Sequence, residues 1–181
     1  MLYYAGIGSR QTPEAILNTF TELGRQLASM GFVLRSGGAD GADAAFQKGC
    51  DAVHGMSEIF IPWRGFNNIH NGIVFDSLDA MQRQKALESV NHYHPAPDRL
   101  SFGARKLMAR NYCQMFGSTV SSPVSSFVVC YTKDGRASGG TGQAMRMAED
   151  AGIMIFNAHG TENAPDAFIH EVLDYAAALQ Q

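Results

Sequence analysis

The sequence predicts an α/β protein, a single doubly wound, Rossmann-like domain over residues 1–181 with a mostly parallel sheet and helices on both faces. Three observations predict it. Short apolar runs alternate with segments of helical period, the pattern of strands covered on both sides by crossover helices. The 181 residues, 45% hydrophobic and 17% charged, are enough for one sizeable core. The 19 glycines gather where the apolar runs stop, and three clusters lead into helices. Right-handed crossovers then wind the sheet outward in both directions from a central strand.

Each element follows in order. Leu2-Tyr3-Tyr4-Ala5 reads as a buried strand ending at Gly6-Ile7-Gly8. Thr12 offers an N-cap and Pro13 a first helical residue, after which Ile16, Phe20, Leu23 and Leu27 recur at helical spacing up to Gly31. Phe32 to Ser36 is the second strand, Gly37 to Gly41 a turn, and Ala42, Ala45, Phe46 and Ala52 mark a small-residue helix. Glu58 to Pro62 is the third strand. Trp63 to Phe75 has no period and reads as a loop. Ser77 to Val90 reads as a helix, Asn91 to Asp98 as a connector with two prolines, and Arg99 to Phe116 as another helix. Gly117 to Ser125 is a Ser/Pro-rich loop. Ser126 to Tyr131 is a strand, Thr132 to Gly140 a polar turn, and Gly142 to Ala151 a helix that Gly152 ends. Ile153 to Asn157 is the last strand. Pro165 opens a terminal helix with Phe168, Val172, Tyr175 and Leu179 on one face.

Composition removes several functions. The net charge is −3 and the pI about 6.0, which gives no support to broad phosphate neutralisation along duplex DNA. Cys50, Cys113 and Cys130 are odd in number and far apart, so neither a CxxC zinc site nor a disulfide framework follows. They read as packed, reduced thiols. No apolar stretch spans a bilayer and no signal-peptide pattern opens the chain, so a cytoplasmic protein without a membrane partner is expected.

In an open α/β sheet, ligands bind outside the carboxyl ends of the strands. The clusters Gly6-Ile7-Gly8-Ser9-Arg10, Ser36-Gly37-Gly38-Ala39-Asp40-Gly41 and Ser138-Gly139-Gly140-Thr141-Gly142 all fall there. Glycine lets backbone N–H groups approach an anion, and a helix N-terminus adds a favourable dipole. Together the three turns could form one phosphate cradle. Tight turns without a ligand are the alternative. The dinucleotide fingerprint is incomplete, because Gly6-x-Gly8 lacks its third glycine and the second strand ends in Arg35-Ser36 rather than an acid. No Gly-Lys-Ser/Thr occurs, so there is no Walker A loop.

These motifs resemble the SLOG superfamily over essentially the whole chain. The resemblance rests on Gly6 to Arg10, on Arg35 to Asp43, and on Gly139-Gly140-Thr141-Gly142-Gln143-Ala144 before a helix ending in Ala151-Gly152-Ile153. Within it, Arg105 to Asn111 and Asp134 to Gly142 are similar to segments of DprA-like proteins often carried by bacteriophages. The resemblance implies a nucleotide-derived ligand: a nucleotide, an NAD-derived molecule or a cyclic nucleotide signal. It implies no separate cofactor and a homodimer or higher oligomer. If the chain is phage-encoded, it implies residence in the host cytoplasm and capture of a defence signal. The alternatives it carries are hydrolysis of a nucleotide N-glycosidic or phosphodiester bond, and DprA-like binding of single-stranded DNA. Against the Pro-Gly-Gly-x-Gly-Thr-x-x-Glu pattern of the family's phosphoribohydrolases, this chain has Ser138, Gln143 and Arg146 for the proline, threonine and glutamate. An arginine can hold phosphate but cannot act as a base at neutral pH. Glu149 lies one turn on.

The candidate ligand-binding residues are therefore Gly8, Ser9, Arg10, Ser36, Gly37, Gly38, Asp40, Trp63, Arg105, Arg110, Gly139, Gly140, Thr141 and Gly142. Arg10 would pair with phosphate. Arg105 and Arg110 would close over it, as the resemblance suggests, and Asn111 could read a base edge. Arg35 could point either way. Asp40 could meet a ribose hydroxyl or a metal, or serve as an N-cap. Asp43 reads as a first-turn acid. Trp63 could stack a base or pack as a lid or interface residue. His92 and His94 lack the further ligands that zinc needs, so no metal is expected. No catalytic residue can be assigned, because no nucleophile–base pair is legible.

Overall fold

A computed structural model describes residues 1–181. Six parallel strands form one sheet in the order β4-β3-β2-β1-β5-β6. They are β1 (Tyr3–Gly6), β2 (Val33–Ser36), β3 (Ser57–Ile61), β4 (Ile73–Val74), β5 (Phe127–Cys130) and β6 (Met154–Asn157). The helices are α1 (Glu14–Ser29), α2 (Ala42–Ala52), α3 (Ala80–Tyr93), α4 (Phe102–Phe116), α5 (Gly139–Asp150) and α6 (Pro165–Ala178). The doubly wound α/β fold read from the sequence is the fold observed.

Strand alternation sends successive side chains to opposite faces. From β1, Tyr4 enters one core with Phe20, Leu23, Phe46, Phe127 and Val172, so α1, α2 and α6 cover that face. Ala5 enters the other with Met115, Val128, Cys130 and Met147, where α4 and α5 pack. Beside them α3 and α4 close on Phe60 through Ala86, Val90, Ala109 and Cys113. The strand order turns outward on either side of β1 and β5, which makes the gap between their carboxyl ends the topological switch point.

Several local expectations are corrected. Thr12 does not cap α1; its hydroxyl donates to Ser9 O at 2.6 Å, and Pro13 takes the cap position. The segment 63–75 is not all loop, since Ile73 and Val74 pair with Phe60 and Ile61 as a two-residue edge strand too short to show a period. The helix expected from Ser77 begins at Ala80, where Asp79 caps it by accepting from Gln82 N at 2.7 Å, and runs on to Tyr93. Ser101 likewise caps α4 by accepting from Ala104 N, so that helix begins at Phe102, three residues past the expected start. No helix is long and apolar enough to cross a membrane.

Candidate functional site

At the switch point lies a cavity of about 360 Å³. The turn after β1 supplies Ile7, Gly8, Ser9 and Arg10. The segment after β5 supplies Thr132 and Lys133, and the start of α5 supplies Ser138, Gly139, Gly140 and Thr141. The opposite wall is one face of α4, with Leu107, Arg110, Asn111 and Gln114 at helical spacing and Met108 alongside. Asp43 and Ala39 complete the floor.

The α5 terminus is open. Ser138 occupies the cap position, but its hydroxyl donates to Asp134 Oδ1 at 3.0 Å and provides no cap bond. Gly142 N is the first amide to find an intrahelical acceptor, Ser138 O at 2.8 Å. The amides of Gly139, Gly140 and Thr141 are thus left without protein acceptors. Gly139 reaches this geometry at φ +62, where a side chain would be strained. Asn111 fixes the turn by donating Nδ2 to Gly140 O at 3.3 Å.

The α2 terminus is already filled. Asp43 Oδ2 accepts from Ala39 N at 3.2 Å, and the amides of Gly37 and Gly8 also stabilise its charged form. Ser9 O accepts from Ala42 N and Thr12 N. The second glycine turn therefore cradles an anion belonging to the chain itself. Burial pushes the Asp43 carboxyl above its usual range, while Arg110 and the three amides pull it back. Arg110 is buried in turn. Its Nη1 stands 4.0 Å from Asp43 Oδ2, and the guanidinium lies over the Phe66 ring at 5.6 Å. Gln114 completes this floor: with its amide turned so that Oε1 rather than Nε2 faces them, it accepts from Gly37 N and Arg110 Nη1 at 3.1 Å each. Arg110 Nε is buried without any partner. Desolvation lowers the Arg110 pKa, and the nearby Arg10 cation lowers it further.

The structure brings together Gly8, Ser9, Arg10, Arg110, Gly139, Gly140 and Thr141 around this cavity, and keeps the other candidates out of its lining. Ser36 is buried and donates Oγ to Gly6 O at 2.6 Å. Gly37 lies beneath Arg110, with a Cβ there only 1.4 Å from Nη1, and Gly38 is covered by Ile69. Asp40 is exposed and caps nothing, since Gly41 takes the cap position of α2. Gly142 packs on Ala137. Arg105 turns outward, donating to Asn91 Oδ1 at 2.7 Å and Pro97 O at 3.1 Å, while Lys106 pairs with Asp76 at 2.6 Å. Trp63 lies beside the α4 wall without lining the cavity.

Arg35 points away. It is fully buried, bonded to Glu58 at 2.7 Å and Pro123 O at 2.7 Å, and stacked on Tyr3. Arg146 is consumed structurally, donating to Tyr93 O and Ala137 O. His94 Nδ1 accepts from Ala96 N, and His92 lies exposed, its ring against Tyr93 and its Nε2 4.0 Å from Asp150 Oδ2. Sequence reasoning missed Lys133, an exposed lysine in a polar turn that carries no ion pair, and Gln114. Nothing in the local pattern distinguishes Lys133 from a solvated lysine; only its place after β5 could have.

No protein-family model matches the chain, and no curated protein matches it in sequence. Solved structures do match in fold. DNA processing protein A from Helicobacter pylori, studied for its single-stranded DNA binding mode, aligns over 96% of this chain and 80% of its own, with TM-score 0.58 and 17% identity. DprA from Streptococcus pneumoniae aligns over 97% of this chain, with TM-score 0.52 and 16% identity; this chain spans 56% of that protein. TM1055, a structural-genomics target, aligns over 86% of this chain and 72% of its own, with TM-score 0.52 and 17% identity. At these identities the likeness is one of fold: the chain shares the α/β fold of these proteins.

Proposed function

We propose that the protein binds a nucleotide-type ligand in the switch-point cavity, with phosphate on the α5 N-terminus and the base against the α4 wall. One observation carries this reading: three unused amides and two unpaired cations, Arg10 and Lys133, surround a single cavity. The helix dipole adds about half a positive charge at those amides. Arg10 can grip two phosphate oxygens with its planar fork, and Thr141 can add a hydroxyl. Ile7, Leu107, Met108 and Ala144 offer an apolar surface to a flat ring. About 360 Å³ lies within the range of small-molecule sites, at its small end.

Turnover is not supported. Asp43 is the one carboxylate in the lining, and it is committed to Arg110 and three amides. The lining holds no histidine or cysteine, the Ser138 hydroxyl is turned to Asp134 outside it, and the position of the phosphoribohydrolase glutamate holds Arg146, tied to carbonyls. The reading is retention of an intact ligand, which suits a receptor or a protein that sequesters a nucleotide signal, one made in phage defence included.

The test is to incubate the protein with nucleoside monophosphates, NAD, cyclic dinucleotides and a short oligodeoxynucleotide, filter, denature, and identify every species by mass spectrometry. An intact nucleotide retained near one per chain is expected. Retention of none, or free base accumulating over many turnovers, would overturn the reading.

A further inference from the structure

The α4 wall of the cavity continues past Leu107. Gly103 lies one turn earlier on the same face, and Trp63 packs against it: a Cβ on Gly103 would sit 3.7 Å from the indole Cζ3. The indole also meets Phe66 edge to face, ring centroids 5.5 Å apart, and Phe66 lies under the Arg110 guanidinium of the cavity floor. Trp63 thus adjoins the cavity wall through two partners, yet 43% of it remains exposed.

Its loop is tied down. Asn67 donates Nδ2 to Gly38 O at 3.0 Å, and Asn67 and Asn68 both adopt positive φ, 46 and 61. Backbone of this kind persists where surrounding structure over-determines it, and it gathers at binding sites. Arg64, the residue after Trp63, lines a second cavity of about 540 Å³ together with Ile61, His70 and Asp76. Lys106 of α4 pairs with Asp76 of this second lining at 2.6 Å.

We infer that the ligand carries two nucleotide units, one seated in the switch-point cavity and the second with its base stacked on Trp63 and its polar part toward Arg64. This rests on the nucleotide reading above. A mononucleotide in the first cavity leaves the indole and Arg64 unused. The indole face accepts any base, because every base offers a π-face. From Leu107 back to Gly103 is about 6 Å along the helix axis, a short step from one subsite to the next.

Trp63 is the single tryptophan, so selectively excited tryptophan fluorescence reads this subsite alone. The probes are 5′-AMP, the linear dinucleotide pApA and the trinucleotide pApApA, titrated by fluorescence and calorimetry. The expected result is quenching by pApA, with affinity about tenfold or more above that of 5′-AMP. In W63A the pApA affinity falls to that of 5′-AMP, and W63F keeps part of the gain. The inference is overturned if pApA binds no tighter than 5′-AMP and leaves the fluorescence unmoved. It is also overturned if pApApA adds a further step of equal size, which indicates a longer strand. Failure of all three probes to bind overturns the nucleotide reading itself, and this inference with it.

Discussion

Asp43 Oδ2 and Arg110 Nη1 stand 4.0 Å apart under the cavity, with only 5% and 6% of the two side chains exposed. The separation makes them an ion pair without a direct hydrogen bond. Asp43 completes its bonding with backbone amides of the two turns that follow β1 and β2. One carboxylate therefore joins two loops to α4. It also takes the position that a phosphate would need in the second glycine turn, leaving the α5 terminus as the open one.

Removing Asp43 should strand a buried guanidinium. D43A is expected to cost about 3–5 kcal/mol in urea unfolding, the penalty of breaking a buried pair by deleting one partner. D40A, three residues away on the surface, should change stability by no more than about 0.5 kcal/mol.

R10A and K133A should each weaken 5′-AMP binding by about tenfold or more, as expected for loss of a hydrogen bond to a charged group. R105A should leave that affinity unchanged, because Arg105 is spent on Asn91 and Pro97. Isothermal calorimetry of the three variants separates the cavity cations from the outward one.

The fold was legible because strands and helices announce themselves through apolar runs, periodicity and glycine stops. The site was legible only in part. Glycine clusters after β1, β2 and β5 look alike in sequence, yet Asp43 folds back to fill the second, a return of chain on itself that has no local pattern. Arg105 and Arg110 sit five apart on one helix, and the sequence cannot say that Asn91 draws one outward while Gly37, lacking a Cβ, makes room for the other. Lys133 was overlooked because an unpaired lysine in a turn looks solvated. Strand β4 was missed because two residues show no alternation.

Arg146 offers a direct check on turnover. R146E restores the carboxylate of the phosphoribohydrolase pattern, but it removes the ties to Tyr93 O and Ala137 O. We expect a loss of about 1.5–3 kcal/mol in stability and no release of adenine from 5′-AMP by chromatography.

The thiols should be silent in the native protein. Burial pushes Cys50 up to about 11 and Cys113 and Cys130 up to about 12, so thiolate is scarce at mildly alkaline pH. A colorimetric thiol reagent should report no reaction for the folded protein and three equivalents in guanidinium.

The central claim is that the free amides of Gly139, Gly140 and Thr141 receive the phosphate. The most direct measurement is the amide nitrogen–proton NMR spectrum of the assigned protein, titrated with 5′-AMP and, separately, with adenosine. The account predicts large saturable shifts of these three amides with 5′-AMP and none with adenosine at the same concentrations. Equal shifts with both, or shifts confined to residues away from the α5 terminus, would contradict it.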